Sequence, residues 1–382
     1  MAQRQQSQAA TALRRLRKPA SSGLESAEGA SAGLSSDRIR TSLKVTRERF
    51  RKIAERTTSG RETVTREQER VLADAETVLQ RLSADGDQAE VTDRHLIALE
   101  AIVVPDGTRP ALFVQDDDVD PAAETAGSWQ GSISDLRVGI AVVSRSVGRI
   151  NAAIGFPNYA GTGFVVAEGL VLTNRHVLEA LAVGGNISPD GSWKFKKPVT
   201  IDFAAEFERT RTRIFKVTGV AFAGPDQIGP NIQLSKLDVA LLTVETHNGT
   251  EPLPPPLALS RRLAALDSGS KVYVMGFPGR PYNEVGKVLM KVFQDEYFVK
   301  RFAPGYVEEE PDLVRGGEKR VFTHDASTLG GNSGSSVIEF HVQGRSVIGL
   351  HFGGVARQEN YAHAIARIEK VLAKHGSTLL DN

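Results

Sequence analysis

Hydrophobic and polar positions follow two different rhythms along this chain. Between Thr65 and Leu82, the residues Val71, Ala75, Val78, Leu79 and Leu82 recur at three- and four-residue steps, which lines one face of a helix. Thr65 followed by Gln68 supplies a capping box, a hydroxyl for a backbone amide and an amide side chain reaching back. A second apolar run from His95 to Ile102 predicts another helix, closed by the turn Pro105-Asp106-Gly107. From about residue 137 short apolar runs follow one another, divided by Gly, Pro, Asn and Asp. They include 138–143, 162–166, 170–172, 239–244, 271–275, 336–340 and 346–350. Many short strands with turn signals between them predict an all-β fold, and the length of this region suits a double β-barrel. Helical spacing returns only near the end, over Ala366 to Leu372.

Three parts follow from this pattern. Residues 1–60 form a basic, flexible extension, residues 61–130 a helical region with an acidic linker, and residues 131–382 the β-rich domain with its C-terminal helix. Residues 1–60 carry 13 basic against 5 acidic side chains, a net +8, around a Gly/Ser/Ala-rich stretch at 21–36 that reads as a tether. A regulatory partner docking through residues 1–130 is the expected use of that region. Asp116, Asp117, Asp118 and Asp120 lack the Gly turn and distal Glu of a calcium loop, so this run reads as a solvated linker.

Composition narrows the chemistry. Lys+Arg 47 against Asp+Glu 46 leaves a net charge of +1, which argues against nucleic acid as the partner. With no cysteine there is no disulfide framework, thiolate metal site or cysteine nucleophile. No run approaches the ~20 apolar residues of a membrane span, and the N-terminus shows no secretory pattern, so a cytoplasmic location is expected. No His/Asp/Glu spacing suggests a catalytic metal, and no cofactor is expected.

Three segments carry candidate chemistry. The first is Gly161-Thr162-Gly163-Phe164-Val165-Val166 with Leu172-Thr173-Asn174-Arg175-His176-Val177. The second is Leu237-Asp238-Val239-Ala240-Leu241-Leu242, and the third is Gly330-Gly331-Asn332-Ser333-Gly334-Ser335. A serine hydroxyl is a poor nucleophile until a positioned imidazole takes its proton, and a buried carboxylate fixes that imidazole's tautomer. Each segment alone is weak evidence; their order and apolar context make them specific.

At these segments the chain resembles the trypsin-like (chymotrypsin-fold) serine peptidases, which share the chain order His, Asp, Ser. The resemblance covers about 137–366. It implies a serine endopeptidase acting on protein or peptide substrates, with Ser333 as nucleophile, His176 as general base and acid, and Asp238 as orienting carboxylate. Gly331 and Ser333 would form the oxyanion hole with their backbone N–H groups. Asn332 stands where digestive members carry an Asp that pairs with a newly cut N-terminus, so activation by that route is not expected. Ser327 stands where a trypsin-type enzyme holds the Asp that binds Arg or Lys. Thr328 and His351 match the pair with which glutamyl endopeptidases hold an acidic side chain, and Gly353 lies beside them. The resemblance is therefore closest to the bacterial glutamyl-endopeptidase-like branch, with Glu or Asp preferred before the cut bond and held by a hydroxyl and an imidazole N–H. Protonation of His351 would add charge; the alternative is a structural His351 hydrogen-bonded beneath the pocket. The alternatives are an inactive trypsin-like peptide-binding module and a chaperone-like quality-control protease; the latter usually carries an appended domain, for which only about 16 residues remain after Ala366. His324 reads as structural, and His247, His341, His363 and His375 show no partner pattern.

Overall fold

Residues 109–153, 158–184, 192–228, 233–280, 293–294, 296–341, 344–355 and 359–380 are described by a computed structural model, with six further residues between 73 and 81. Those six (Ala73, Asp74, Glu76, Thr77, Gln80 and Arg81) are helical, as the spacing predicts. The capping box at Thr65, the 95–102 helix and the 21–36 tether lie outside the described residues.

The elements run in this order. Strand β1 (Leu112–Phe113) precedes a 3-10 turn at Glu124–Trp129 and helix α1 (Gln130–Ser146). Then come β2 (Val147–Ala152), β3 (Gly161–Ala167), β4 (Leu170–Thr173), helix α2 (Arg175–Leu181), β5 (Ala182–Gly184) and β6 (Trp193–Phe195). Strands β7 (Val199–Asp202), β8 (Ile214–Ala223) and β9 (Ala240–Val244) complete the first half. The second half holds β10 (Leu259–Ser260), β11 (Lys271–Gly276), β12 (Arg301–Tyr306), β13 (Val321–His324), β14 (Ser336–His341), β15 (Gly344–Val355) and β16 (Glu359–Ala364). Helix α3 (Ile365–Lys374) and β17 (Leu379–Leu380) end the described chain.

The first half closes into a six-stranded barrel in the order β2-β3-β4-β9-β8-β7. In the second half a sheet runs through β12, β11, β14, β15 and β16 to β13. An isolated bridge from Val307 to His324 brings β13 back to the end of β12, so this sheet also curls into a ring. The double-barrel expectation holds.

Period-two alternation explains how both faces of these strands are used. Val165, Val171 and Leu242 point into the first barrel, while Phe164, Val166, Leu172 and Leu241 point outward. In the second half Val272, Val274 and Val337 fill the ring, and Tyr273, Met275 and Ile338 point out. The outward sets meet in one apolar cluster between the barrels. Burial on both faces is why these strands read as unbroken apolar runs.

Two expectations need correction. Residues 138–143 form no strand; they belong to α1, where Ile133, Ile140 and Val143 are buried and Val138 is 81% exposed. Their spacing, with Leu136 partly buried between them, is that of a helix face laid on the shared cluster. The run of β-branched residues suggested a strand, but packing against both barrels overrides that weak preference. Asp117 and Asp118 of the acidic run are not solvated linker either, although Asp116 and Asp120 are exposed. Asp117 accepts a hydrogen bond from the Ser144 hydroxyl at 2.9 Å, and Asp118 pairs with Arg137. Beneath them Lys300 and Glu206 form a wholly buried ion pair at 3.0 Å. The Lys300 ammonium also donates to the carbonyls of Ser144 at 2.7 Å and Phe203 at 2.8 Å. These bonds offset the desolvation that lowers the Lys300 pKa, and that cation helps hold the Glu206 carboxyl down to about 2.

Candidate active site

The three sequence segments converge between the barrels. His176 opens α2 straight after β4, Asp238 precedes β9, and Ser333 sits in the turn before β14. Asp238 is almost completely buried and its carboxylate holds the histidine twice. Its Oδ1 accepts from the His176 backbone N–H at 2.9 Å, and its Oδ2 lies 2.6 Å from His176 Nδ1. With Nδ1–H directed at the carboxylate, the Nε2 lone pair is left for a proton acceptor's role. The Asn174 side chain donates to the Asp238 carbonyl at 2.9 Å and fixes the backbone that carries the acid.

Sequence reasoning missed His363. It lies on β16, fully buried, and its Nε2 accepts the Asp238 backbone N–H at 3.1 Å. Burial pushes its pKa down to about 4, which keeps the ring neutral and able to accept. The Phe352 ring stacks on it at 4.4 Å. Only the pairing of β15 with β16 brings residue 363 beneath residue 238, so a linear pattern offered no partner.

The turn around Ser333 is held from several sides. Thr162 N–H, on β3 of the first barrel, donates to the Ser333 carbonyl at 2.8 Å, and Gly334 N–H donates to the His351 carbonyl at 2.9 Å. Gly331 has φ +98° within a turn closed by Asn332 N–H on the Leu329 carbonyl at 3.1 Å, a geometry that calls for glycine. The Gly330 carbonyl accepts from Gly279 N–H at 2.6 Å. Because C=O and N–H point oppositely across a trans peptide, this bond turns the Gly331 N–H the other way. Among the described residues neither the Gly331 nor the Ser333 amide donates to a protein acceptor. Asn332 is buried, with its amide donating to the Leu329 carbonyl at 3.3 Å and its Oδ1 accepting from the Ser335 hydroxyl at 3.3 Å.

The trypsin-like peptidase domain matches residues 161–350. A probable serine protease of Lysobacter enzymogenes is 33% identical over 304 residues, covering 73% of this chain and 76% of that protein. This chain belongs to the trypsin-like serine peptidases. Crystal structures of the Rv3671c protease were also matched. The inactive form aligns at 22% identity over 62% of this chain and 92% of its own, TM-score 0.36. The active form, from M. tuberculosis, aligns at 23% identity over 63% of this chain and 84% of its own, TM-score 0.37.

The remaining predicted residues of this peptidase lie on β15 and the segment before Ser333. The Thr328 hydroxyl donates to Asn360 Oδ1 at 2.6 Å, and the Asn360 amide donates to the Ala326 carbonyl at 2.8 Å. Gly353 is half-buried at the irregularity where β15 shifts register against β16. His351 is buried on β15, with Nδ1 3.3 Å from Nε2 of the equally buried His324. Burial, with His324 and His176 nearby, holds the His351 pKa well below the usual histidine value, and burial brings His324 to about 4. The expectation of a protonated His351 is therefore replaced by a neutral ring, because a charge there would be desolvated.

Proposed function

We propose that this peptidase cleaves peptide bonds through an acyl-enzyme on Ser333, with His176 as base and acid and Asp238 as orienting carboxylate. The observation that carries the reading is the double hold of Asp238 on His176, whose neighbour Val177 packs with the Ser333 carbonyl against Gly161 of β3. His176 takes the Ser333 proton as Oγ attacks the substrate carbonyl, then returns it to the leaving amine; water repeats the cycle on the ester. The Gly331 and Ser333 amides receive the developing oxyanion, a donor set typically worth about 3–4 kcal/mol per bond in the transition state. Asn332, held by Leu329 and Ser335, supports an oxyanion turn that needs no ion pair from a new N-terminus. A fluorophosphonate probe that labels wild-type protein on Ser333 supports this function. A folded chain that stays unlabelled points instead to a peptide-binding module.

Specificity rests with Thr328, His351 and Gly353, and the preference is Glu, then Asp, before the cut bond, as in the glutamyl-endopeptidase-like branch. A substrate carboxylate leaving water needs strong hydrogen-bond donors, here a neutral imidazole N–H, a backbone amide and the Thr328 hydroxyl once it turns from Asn360 to the substrate. With His351 neutral, the ratio of Glu to Leu cleavage should stay flat between about pH 6 and 8. His351→Leu should lower the ratio about tenfold while leaving Leu cleavage unchanged. Equal wild-type turnover of matched Glu and Leu peptides would rule the acidic preference out.

A further inference from the structure

The segment before α1 reaches across to the pocket wall. Arg109 precedes the family-matched region by 52 residues, yet it is buried against the residues that precede Ser333. Its Nη2 lies 2.5 Å from Asp325 Oδ2, with both side chains at least nine-tenths buried. Its carbonyl accepts the Ser327 hydroxyl at 2.6 Å, and its guanidinium lies 4.9 Å over the Tyr306 ring. Asp325 is gripped from the other side by β12. Its Oδ1 accepts from Tyr306 N–H at 2.6 Å, and its own N–H donates to the Tyr306 carbonyl at 3.1 Å.

The rest of the segment is stitched down beyond Arg109. Leu112 and Phe113 pair with Phe302 and Arg301 of β12. The Arg301 guanidinium stacks 3.3 Å over the Phe113 ring and donates to the Ala111 carbonyl at 3.0 Å. Val114 then bonds to the Lys300 carbonyl at 3.2 Å.

We propose that residues 109–114 clamp the specificity segment in cis, with Arg109 as the positioning residue that holds Asp325 and Ser327 in place. This rests on the reading above that Thr328 serves specificity, with Ser327 beside it at the position where a trypsin-type enzyme holds its Asp. Removing the guanidinium takes the cation at 2.5 Å away from a buried carboxylate that keeps its Tyr306 N–H, and the segment 325–328 shifts to hydrate the uncompensated charge. The catalytic groups are secured elsewhere, by Thr162 on Ser333, Gly279 on Gly330 and Asp238 on His176. The clamp therefore acts on side-chain selection rather than on the nucleophile.

The test uses full-length protein, wild type against Arg109→Gln and Arg109→Lys. One arm measures labelling of Ser333 by a small alkyl fluorophosphonate, which carries no side chain for the pocket. The other measures kcat/KM for peptides that differ only in the residue before the cut. The expected result for Arg109→Gln is labelling within about threefold of wild type, with discrimination reduced at least about tenfold, mainly through KM. Arg109→Lys should recover part of it. If Arg109→Gln does not fold, Arg109→Gln with Asp325→Asn removes both charges together and should show the same loss. Discrimination unchanged in a folded variant overturns the clamp, and so does a proportional fall of labelling and discrimination, which marks a general structural role. A wild-type chain that labels but cleaves without preference overturns the pocket assignment and the clamp with it. A wild-type chain that does not label overturns the nucleophile instead and takes both with it.

Discussion

Peptide hydrolysis by Ser333→Ala is expected to fall by about 10⁶-fold, while the protein melts close to the wild-type temperature. Residues that work as one catalytic unit lose their effect together, so pairing Ser333→Ala with His176→Ala should be barely worse than either alone, and Asp238→Asn somewhat milder. The fold is expected to survive because Ser333 contributes its carbonyl, not its side chain, to the junction with β3. Asp238 is different in kind. It is buried and accepts two bonds from His176, so a change there removes bonded groups from the interior as well as catalytic orientation. Peptide turnover, checked by melting and by fluorophosphonate labelling, separates the two effects. Hydrolysis by purified Ser333→Ala at more than a hundredth of the wild-type rate would end the assignment of nucleophile.

A steep loss of stability in mild acid is the second large effect. His324, His351 and His363 are all buried and neutral, two with pKa values near 4 and His351 well below its usual value. Burial is the leading cause for each. Asp325 opposes it at His324 and Asp238 opposes it at His363, while Arg320 adds to it there. In the unfolded chain each ring titrates near about 6.5, so below that pH unfolding takes up protons. The stabilisation is fully present above about pH 6.5 and is lost as pH falls toward 4. His324 and His363 each account for about 2 kcal/mol by pH 5, and His351 adds in the same direction, against a typical total of about 5–15. Urea midpoints at pH 7.5 and pH 5.0 should differ accordingly, and His363→Gln should flatten the slope by about one proton. Equal midpoints at the two pH values would show that these rings gain no protons on unfolding.

The candidate site was legible because the proposed nucleophile, base and acid each sit in a short phrase whose glycines and apolar neighbours are local. Ser333 needs the turn around Gly331 and Gly334, and His176 needs the strand end at Thr173; both are written within a few residues. Strands β3, β4, β9, β11, β14 and β15 were legible for the same reason, as was α3, whereas β2, β7, β8, β12 and β16 were not. What stayed hidden depends on distant pairing. Val138 to Val143 look like a strand until helix α1 is laid across the shared cluster, where only one face is covered. Asp117 and Asp118 look solvated until Ser144 and Arg137 are placed beside them. His363 and Arg109 have their partners 125 and 216 residues away, beyond the reach of any periodicity.

The pairing of β1 with β12 also bears on how the chain is made. Leu112 meets Phe302, so the ribosome must add 190 residues before the first strand has its partner. At about 5–20 residues per second that is a wait of roughly 10–40 s. The strands of the first barrel, residues 147–244, are complete well within this interval. Leu112 and Phe113 meanwhile present an open edge on the nascent chain, the kind of segment that pairs wrongly. Pro110 on one side, which offers no N–H, and Asp116 to Asp118 on the other limit that exposure by interrupting pairing and by charge. The same acids later bind α1 and its surroundings, so they serve first as guards of an unfinished chain and then as part of its seam.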